Sequence, residues 1–169
     1  VVDDALAVLE STDGPVFAWV HLFDAHWPYA PPEPFASQHP GRPYDGEIAY
    51  AAAQVERLLE AWDAKAPRNV VLVTADHGEG MGDGGEMTHG FLLHDGTIRV
   101  PMLLRAQGLG DAVAVGETVD DPVGHVDIAP TLLRLAGLPL DDLLQGKDLR
   151  EGGSDRVYSE ALTGQFNLG

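Results

Sequence analysis

Cysteine is absent from all 169 residues, so no disulfide can staple this stretch of chain, an absence that is neutral about redox compartment. Basic side chains are scarce. Ten Lys and Arg stand against 27 Asp and Glu, a formal net charge of −17 that argues against nucleic acid and anionic membrane surfaces as partners. Long apolar runs are missing as well, since none approaches the roughly 18 residues a membrane helix requires. Neither an internal repeat nor a low-complexity segment occurs. What is present suits a globular piece. Hydrophobic residues make up 44% of the chain, and a chain of this length typically buries about two-thirds of its unfolded surface.

The pattern of apolar residues predicts alternating helices and strands. Asp3–Glu10 has the period of a helix, and Ser11-Thr12-Asp13-Gly14-Pro15 is a turn. Val16–Phe23 predicts a buried strand with His21 in the core, and the proline-rich Pro28–Pro43 a loop over the mouth of a site. Ile48, Ala52, Val55, Leu59 and Trp62 recur at steps of three or four, which predicts a helix over Glu47–Ala64 with Glu56, Arg57 and Glu60 on a solvated face. Strands are expected at Asn69–Thr74, Val100–Leu104 and Val113–Val119, with Arg156–Glu160 also strand-like. Asp127–Ala136 predicts a helix with Pro130 in its first turn and Gly137 as C-cap. A helix joining two strands is the signature of a parallel sheet, so the expected class is α/β.

Behind the run Val70–Thr74 comes Asp76-His77-Gly78-Glu79-Gly80-Met81-Gly82-Asp83-Gly84-Gly85-Glu86. Carboxylates and imidazole are costly to desolvate unless paired or bound to a cation. The glycines let the backbone fold tightly, so Asp76, His77, Glu79 and Asp83 are expected to converge on one point. Acid and imidazole at the carboxyl end of a strand commonly present a divalent metal. The spacing Gly80-x-Gly82-x-x-Gly85 matches a dinucleotide fingerprint, but acids surround it and no helical period follows, so a pyrophosphate would be repelled. An EF-hand loop fails too, because its third and fifth positions counted from Asp76 are Gly78 and Gly80.

Further histidines stand in comparable settings. The predicted strand Val16–Phe23 ends in Asp24-x-His26, followed by prolines that forbid helix and central strand. Thr88-His89-Gly90 precedes Phe91-Leu92-Leu93. His39 reads as a solvated bystander, while His94 and His125 fit loop or helix-start roles equally. Arg99 reads as a structural ion-pair residue at a strand start.

Four stretches together carry a resemblance: His21-Leu22-Phe23-Asp24-Ala25-His26-Trp27-Pro28-Tyr29, Thr74-Ala75-Asp76-His77-Gly78-Glu79-Gly80, Thr88-His89-Gly90 and Arg99-Val100-Pro101. With Val126-Asp127-Ile128-Ala129-Pro130-Thr131-Leu132-Leu133 further on, their order and spacing resemble the sulfatase family of the alkaline-phosphatase-like superfamily, from about Pro15 to Glu160. The resemblance implies a sandwich of helices around a largely parallel or mixed sheet, incomplete at its N-terminus, with residues 1–169 forming part of one catalytic domain. It implies that Asp76 and His77 ligate a divalent metal, Ca²⁺ first and Mn²⁺ or Zn²⁺ as alternatives. It implies that His26 contacts the transferred group and that His89 stabilises the leaving oxygen or the anion. A cation with imidazolium donors suits charge on a tetrahedral anion, and imidazole can supply a proton near neutral pH.

Departures from the family pattern matter. Relatives carry a Cys or Ser that becomes a formylglycine nucleophile, and an Asp pair that completes the metal site. This chain has no Cys, and none of Ser11, Ser37, Ser154 or Ser159 stands in such a motif. Asp3-Asp4 opens a helix, so the metal role is not carried onto it. Ala25, Ala52 and Gly84 stand where Pro, Asp and His are usual. The expectation is therefore a fragment covering roughly a third of an enzyme, inactive alone, its nucleophile outside this chain and its compartment unknown, with a periplasmic or extracellular setting compatible with the resemblance. The expected substrate is a small-molecule or glycan sulfate ester, its anionic group met by local cations despite the acidic surface. Two alternatives stand beside it: a phosphodiester or phosphonate monoester hydrolase or phospho-substituent transferase of the same superfamily, and a non-catalytic relative.

Overall fold

The computed structural model describes residues 1–154 and 156–162, which fall into two compact units, Val1–Asn69 and Val70–Gly169. In the first unit, helix α1 (Val2–Ser11) packs on the 23-residue helix α3 (Pro43–Lys65). Val2 and Leu9 of α1 are buried. Arg57 reaches Asp3 at 2.6 Å, and Lys65 Nζ donates to the Glu10 carbonyl at 3.1 Å. Glu56, Arg57 and Glu60 are exposed, as expected of a solvated face, and from it Arg57 also pairs with α1. α3 starts ahead of the expected Glu47 because Pro43 can occupy the first helical position, where its missing N–H costs nothing. Short helix α2 (Phe35–Gln38) lies within the proline-rich loop. Tyr29 on Tyr44 and Phe35 on Tyr50 pack that loop against α3, edge to face, with centroids at 5.2 and 5.5 Å.

The expected strand Val16–Phe23 is not one: no ladder forms there, and Phe17 and Trp19 are 79% and 83% exposed. A β-branched apolar run records a capacity to pair, and no described strand lies along it. His21, expected in the core, is exposed.

The second unit contains the sheet, two strands among the described residues: β1 (Asn69–Thr74, whose first residue belongs to the first unit) and β2 (Met102–Gln107). Thr74 Oγ1, at the end of β1, donates to the Pro101 carbonyl just ahead of β2 at 2.9 Å. The end of one strand thus lies beside the start of the other, and the pair is antiparallel. β2 begins later than the expected Val100 because Pro101 lacks an N–H for a ladder. Helix α4 (Asp95–Ile98) precedes it. Val113–Val119 forms no strand either; Gly116 sits at φ +75°, off the extended course, and Val115 is exposed. Nor does Arg156–Glu160 form one.

Helix α5 (Ile128–Leu135) ends as its sequence dictates. Gly137 at φ +71° donates to the Arg134 carbonyl and Leu138 to the Leu133 carbonyl, which satisfies orphan carbonyls of the last turn. Asp127, fully buried at the start of α5, accepts from the amides of Gly124 (3.0 Å), Lys147 (2.8 Å) and Ser154 (3.1 Å) and from the Ser154 hydroxyl (2.5 Å). Burial pushes this carboxyl up, but those four donors outweigh it and hold Asp127 below the ordinary carboxylate range. Asp148 is also held low, chiefly by the Arg150 guanidinium against the opposing effect of burial. Among the described residues, buried polar side chains (Glu47, Asn69, Glu86, Thr97, Asp127, Thr131 and Asp148) outnumber buried hydrophobic ones.

Candidate functional site

The chain leaving β1 turns sharply because glycine permits backbone to lie on backbone. A Cβ at Gly78 would overlap the Gly96 carbonyl, and one at Gly80 the carbonyls of Glu86 and Thr88. In their place, Gly78 N–H donates to the Thr97 carbonyl at 2.8 Å and Gly80 N–H to that of Thr88 at 2.7 Å. Residues 76–80 are thereby stitched to residues 88–97. That folding brings three of the four expected site residues together.

His77 stacks on His89 with ring centroids 3.9 Å apart and planes inclined by 29°. Asp76 lies beside His77: its Oδ1 accepts the His77 amide at 3.1 Å, and its Oδ2 is 3.6 Å from His77 Nε2. His77 Nδ1 sits 2.9 Å from the Gly78 carbonyl, which can only accept, so Nδ1 carries the proton and Nε2 is left as the donor atom for a metal. Two ligands on one divalent ion lie roughly 3–4 Å apart, so the Oδ2–Nε2 separation fits a shared cation. Both side chains are open to solvent, as an ion and substrate require. His89 Nδ1 meets the buried carboxylate of Glu79 at 3.3 Å, which orients the ring.

The expected convergence of Asp76, His77, Glu79 and Asp83 is not what forms. Glu79 turns to His89, and Asp83 serves the turn Asp83–Gly85 through its backbone. Among the described residues no group of three or more His, Asp or Glu side chains could hold a metal. Arg99, expected in an ion pair, is exposed and makes none with a described residue. His94 and His125 take helix-start positions: His94 caps α4, its Nδ1 accepting from Gly96 N–H at 3.2 Å, and His125 opens the turn before α5 with its Nε2 3.3 Å from Thr74 Oγ1.

His26 belongs to the first unit. Its ring stacks on Phe23 at 4.3 Å, and its Nδ1 donates to the Trp27 carbonyl at 2.7 Å. The loop around it is held by Glu47 of α3, whose buried carboxylate accepts from Ala25 N–H at 3.0 Å and Ala30 N–H at 2.7 Å. Ala25 takes a left-handed conformation at φ +75°, uncommon for a residue with a Cβ and maintained here by that bond. The sequence reading missed Glu47, the Glu79–His89 pair and a second buried glutamate, Glu86. No pattern of composition or period marked them: Glu47 is buried at the start of α3 among residues whose types do not announce it.

A family model described as Sulfatase matches residues 1–138. Rat steryl-sulfatase is 34% identical over 149 residues, covering 78% of this chain and 25% of that protein. An ulvan-active sulfatase from Formosa agariphila is 28% identical, covering 89% of this chain and 35% of its own length. The chain thus spans about a quarter to a third of these relatives. The crystal structure of a protein described as a "putative sulfatase" from Bacteroides thetaiotaomicron superposes with a TM-score of 0.52 at 24% identity, over 80% of this chain and 29% of that one, a likeness that shows the fold. The α/β class expected from the apolar pattern agrees with that fold, but the parallel pairing expected around helix Glu47–Ala64 does not form among the described residues, because its first strand is absent and β1 pairs antiparallel with β2. With its family model matched over most of its length, this chain belongs to the sulfatase family.

Proposed function

We propose that residues 1–169 are part of a catalytic domain whose complete protein hydrolyses a sulfate ester, on a small molecule or a glycan, with a divalent cation. The family implies such a cation in general terms. The observation that carries the reading is the stacked His77–His89 pair with Asp76 alongside, on the loop directly after β1. Asp76 Oδ2 and His77 Nε2 would hold the cation, Ca²⁺ first, with the remaining ligands and a formylglycine nucleophile supplied from outside this chain. When bound, that ion supplies Lewis-acid stabilisation of charge on the transferred group. His89, oriented by Glu79, donates to the leaving oxygen or the anion, and His26 contacts the sulfate oxygens.

The test uses the complete protein and an aryl sulfate. Asp76→Ala should abolish turnover and lower the bound-metal content; normal metal stoichiometry in that variant would sink the assignment. The 169-residue chain alone should show no turnover, because two ligands hold a divalent ion weakly and no activated nucleophile is present.

One observation keeps a second reading in play. His77 offers an imidazole nitrogen where an all-oxygen shell would suit calcium, and imidazole suits zinc or manganese. That donor set favours the phosphodiester or phosphonate chemistry of the same superfamily. Faster turnover of an aryl phosphodiester than of an aryl sulfate, with zinc or manganese present, would select it.

A further inference from the structure

Glu86 is the most constrained acid of the loop between β1 and α4, yet it lies outside the residues given roles above. Its side chain is 5% exposed. Its two carboxylate oxygens accept separately: Oε1 from Phe91 N–H at 2.8 Å and Oε2 from Leu92 N–H at 3.1 Å. Those bonds close a small ring of chain, and His89 is inside it. The Glu86 main chain is engaged too, its carbonyl taking Gly82 N–H at 2.9 Å and its amide donating to Asp83 at 3.1 Å.

A second histidine covers the clamp. His94 Nδ1 accepts from Gly96 N–H, so its proton sits on Nε2, which is buried, has no hydrogen bond, and lies 3.6 Å from Glu86 Oε2. Buried carboxylates are costly unless satisfied. Here two amides satisfy one, with an imidazole facing it at 3.6 Å, on a loop whose tip side chains Phe91, Leu92 and Leu93 stay exposed. Packing of those apolar side chains does not hold the loop; the Glu86 carboxylate does so together with the Gly80–Thr88 and Thr97–Leu92 hydrogen bonds.

We propose that Glu86 is a positioning residue for His89, fixing by its two amide bonds the segment from which His89 stacks on His77 and meets Glu79. His94 backs the carboxylate from the other side. The proposal deepens the role given to His89 above and rests on it.

Glu86→Gln in the complete protein tests it, because the amide keeps the shape and one acceptor but turns a donor against a backbone N–H. With an aryl sulfate, kcat should fall on the order of 10- to 100-fold while KM stays within about twofold. Adding Glu86→Gln to His89→Ala should cost little beyond His89→Ala alone. Unchanged kcat, or losses that multiply, would overturn the proposal. Should Glu86→Gln fail to fold, Glu86→Asp, too short to span both amides, is read by the same criteria.

An arm without turnover separates this idea from the sulfatase reading. At one fixed pH, the ring signals of both His77 and His89 in the NMR spectrum should move in Glu86→Gln, since their stacking changes. Unmoved His89 signals overturn the positioning role whatever reaction the protein performs. Moved signals in a protein that hydrolyses no sulfate ester uphold the positioning and count against the function.

Discussion

In residues 1–69 the loop around His26 is held from outside, by Glu47 on the long helix α3, 22 and 17 residues from the amides it grips. In residues 70–162 the loop around His89 is held from within, by Glu86, only 5 and 6 residues from its amides. Both devices are one buried carboxylate against two backbone N–H groups. They differ in what must already be folded. Closing the longer span costs about 1 kcal/mol more chain entropy, and α3 must first be in place to supply the carboxylate. The shorter clamp needs only its own glycine-rich loop. A histidine can therefore be presented either by a scaffold element or by a loop that braces itself, and the second kind is the more independent of the rest of the fold.

The largest expected effect falls on the scaffold-held loop. Glu47→Ala should cost about 2–5 kcal/mol in urea unfolding of the complete protein, because two N–H groups lose their acceptor and Ala25 loses what maintains its left-handed backbone. Glu86→Ala should cost less, about 1–2 kcal/mol, because an exposed loop can open locally and let water reach the stranded amides. A larger loss for Glu86 than for Glu47 would break the comparison.

Acid sharpens it through two further buried carboxylates. Asp127 and Asp148 are both held below their ordinary range, so their contribution is fully present above about pH 4 and fades as pH falls through the lowered values. A pH series of melting temperatures should therefore slope downward only on the acid side, and Asp127→Asn should flatten that slope. A slope unchanged in Asp127→Asn would remove this residue from the account.

The smallest change expected is in stability on replacing a presented histidine. His26→Ala should cost activity on the complete protein while moving the melting temperature little, since the ring is only half-buried. If that variant unfolds, the Glu47 clamp serves the fold and not the presentation of His26.

Helices were legible in the sequence because their period of 3.6 is local. α1 and α3 lie where the stripes put them, and Gly137 ends α5 by a conformation its residue type announces. Strand Asn69–Thr74 also matches. Val16–Phe23 and Val113–Val119 did not become strands because pairing is a property of two segments, and an apolar or alternating run declares only one of them. At the site, the nearness of Asp76 and His77 could be expected from residue types around tight turns, whereas the place of His89 came from the resemblance alone. The clamps could not. A glutamate bonding to an amide five residues on leaves no trace in composition or period, and Glu79 was read toward a metal although it faces an imidazole.

Asp127 has a consequence for the order in which the second unit assembles. One carboxylate collects Gly124, Lys147 and Ser154, so it knots together stretches of chain 3, 20 and 27 residues away. In a chain without cysteine, this knot does noncovalently what a branched cross-link would do. Thr131 adds a strand to it, passing the Asp127 carbonyl's hydrogen bond on to the Leu149 amide at 2.8 Å. The amides of Gly124, Lys147, Leu149 and Ser154 should consequently lose their protection in hydrogen exchange together, as one opening event, and Asp127→Asn should release all four at a single rate.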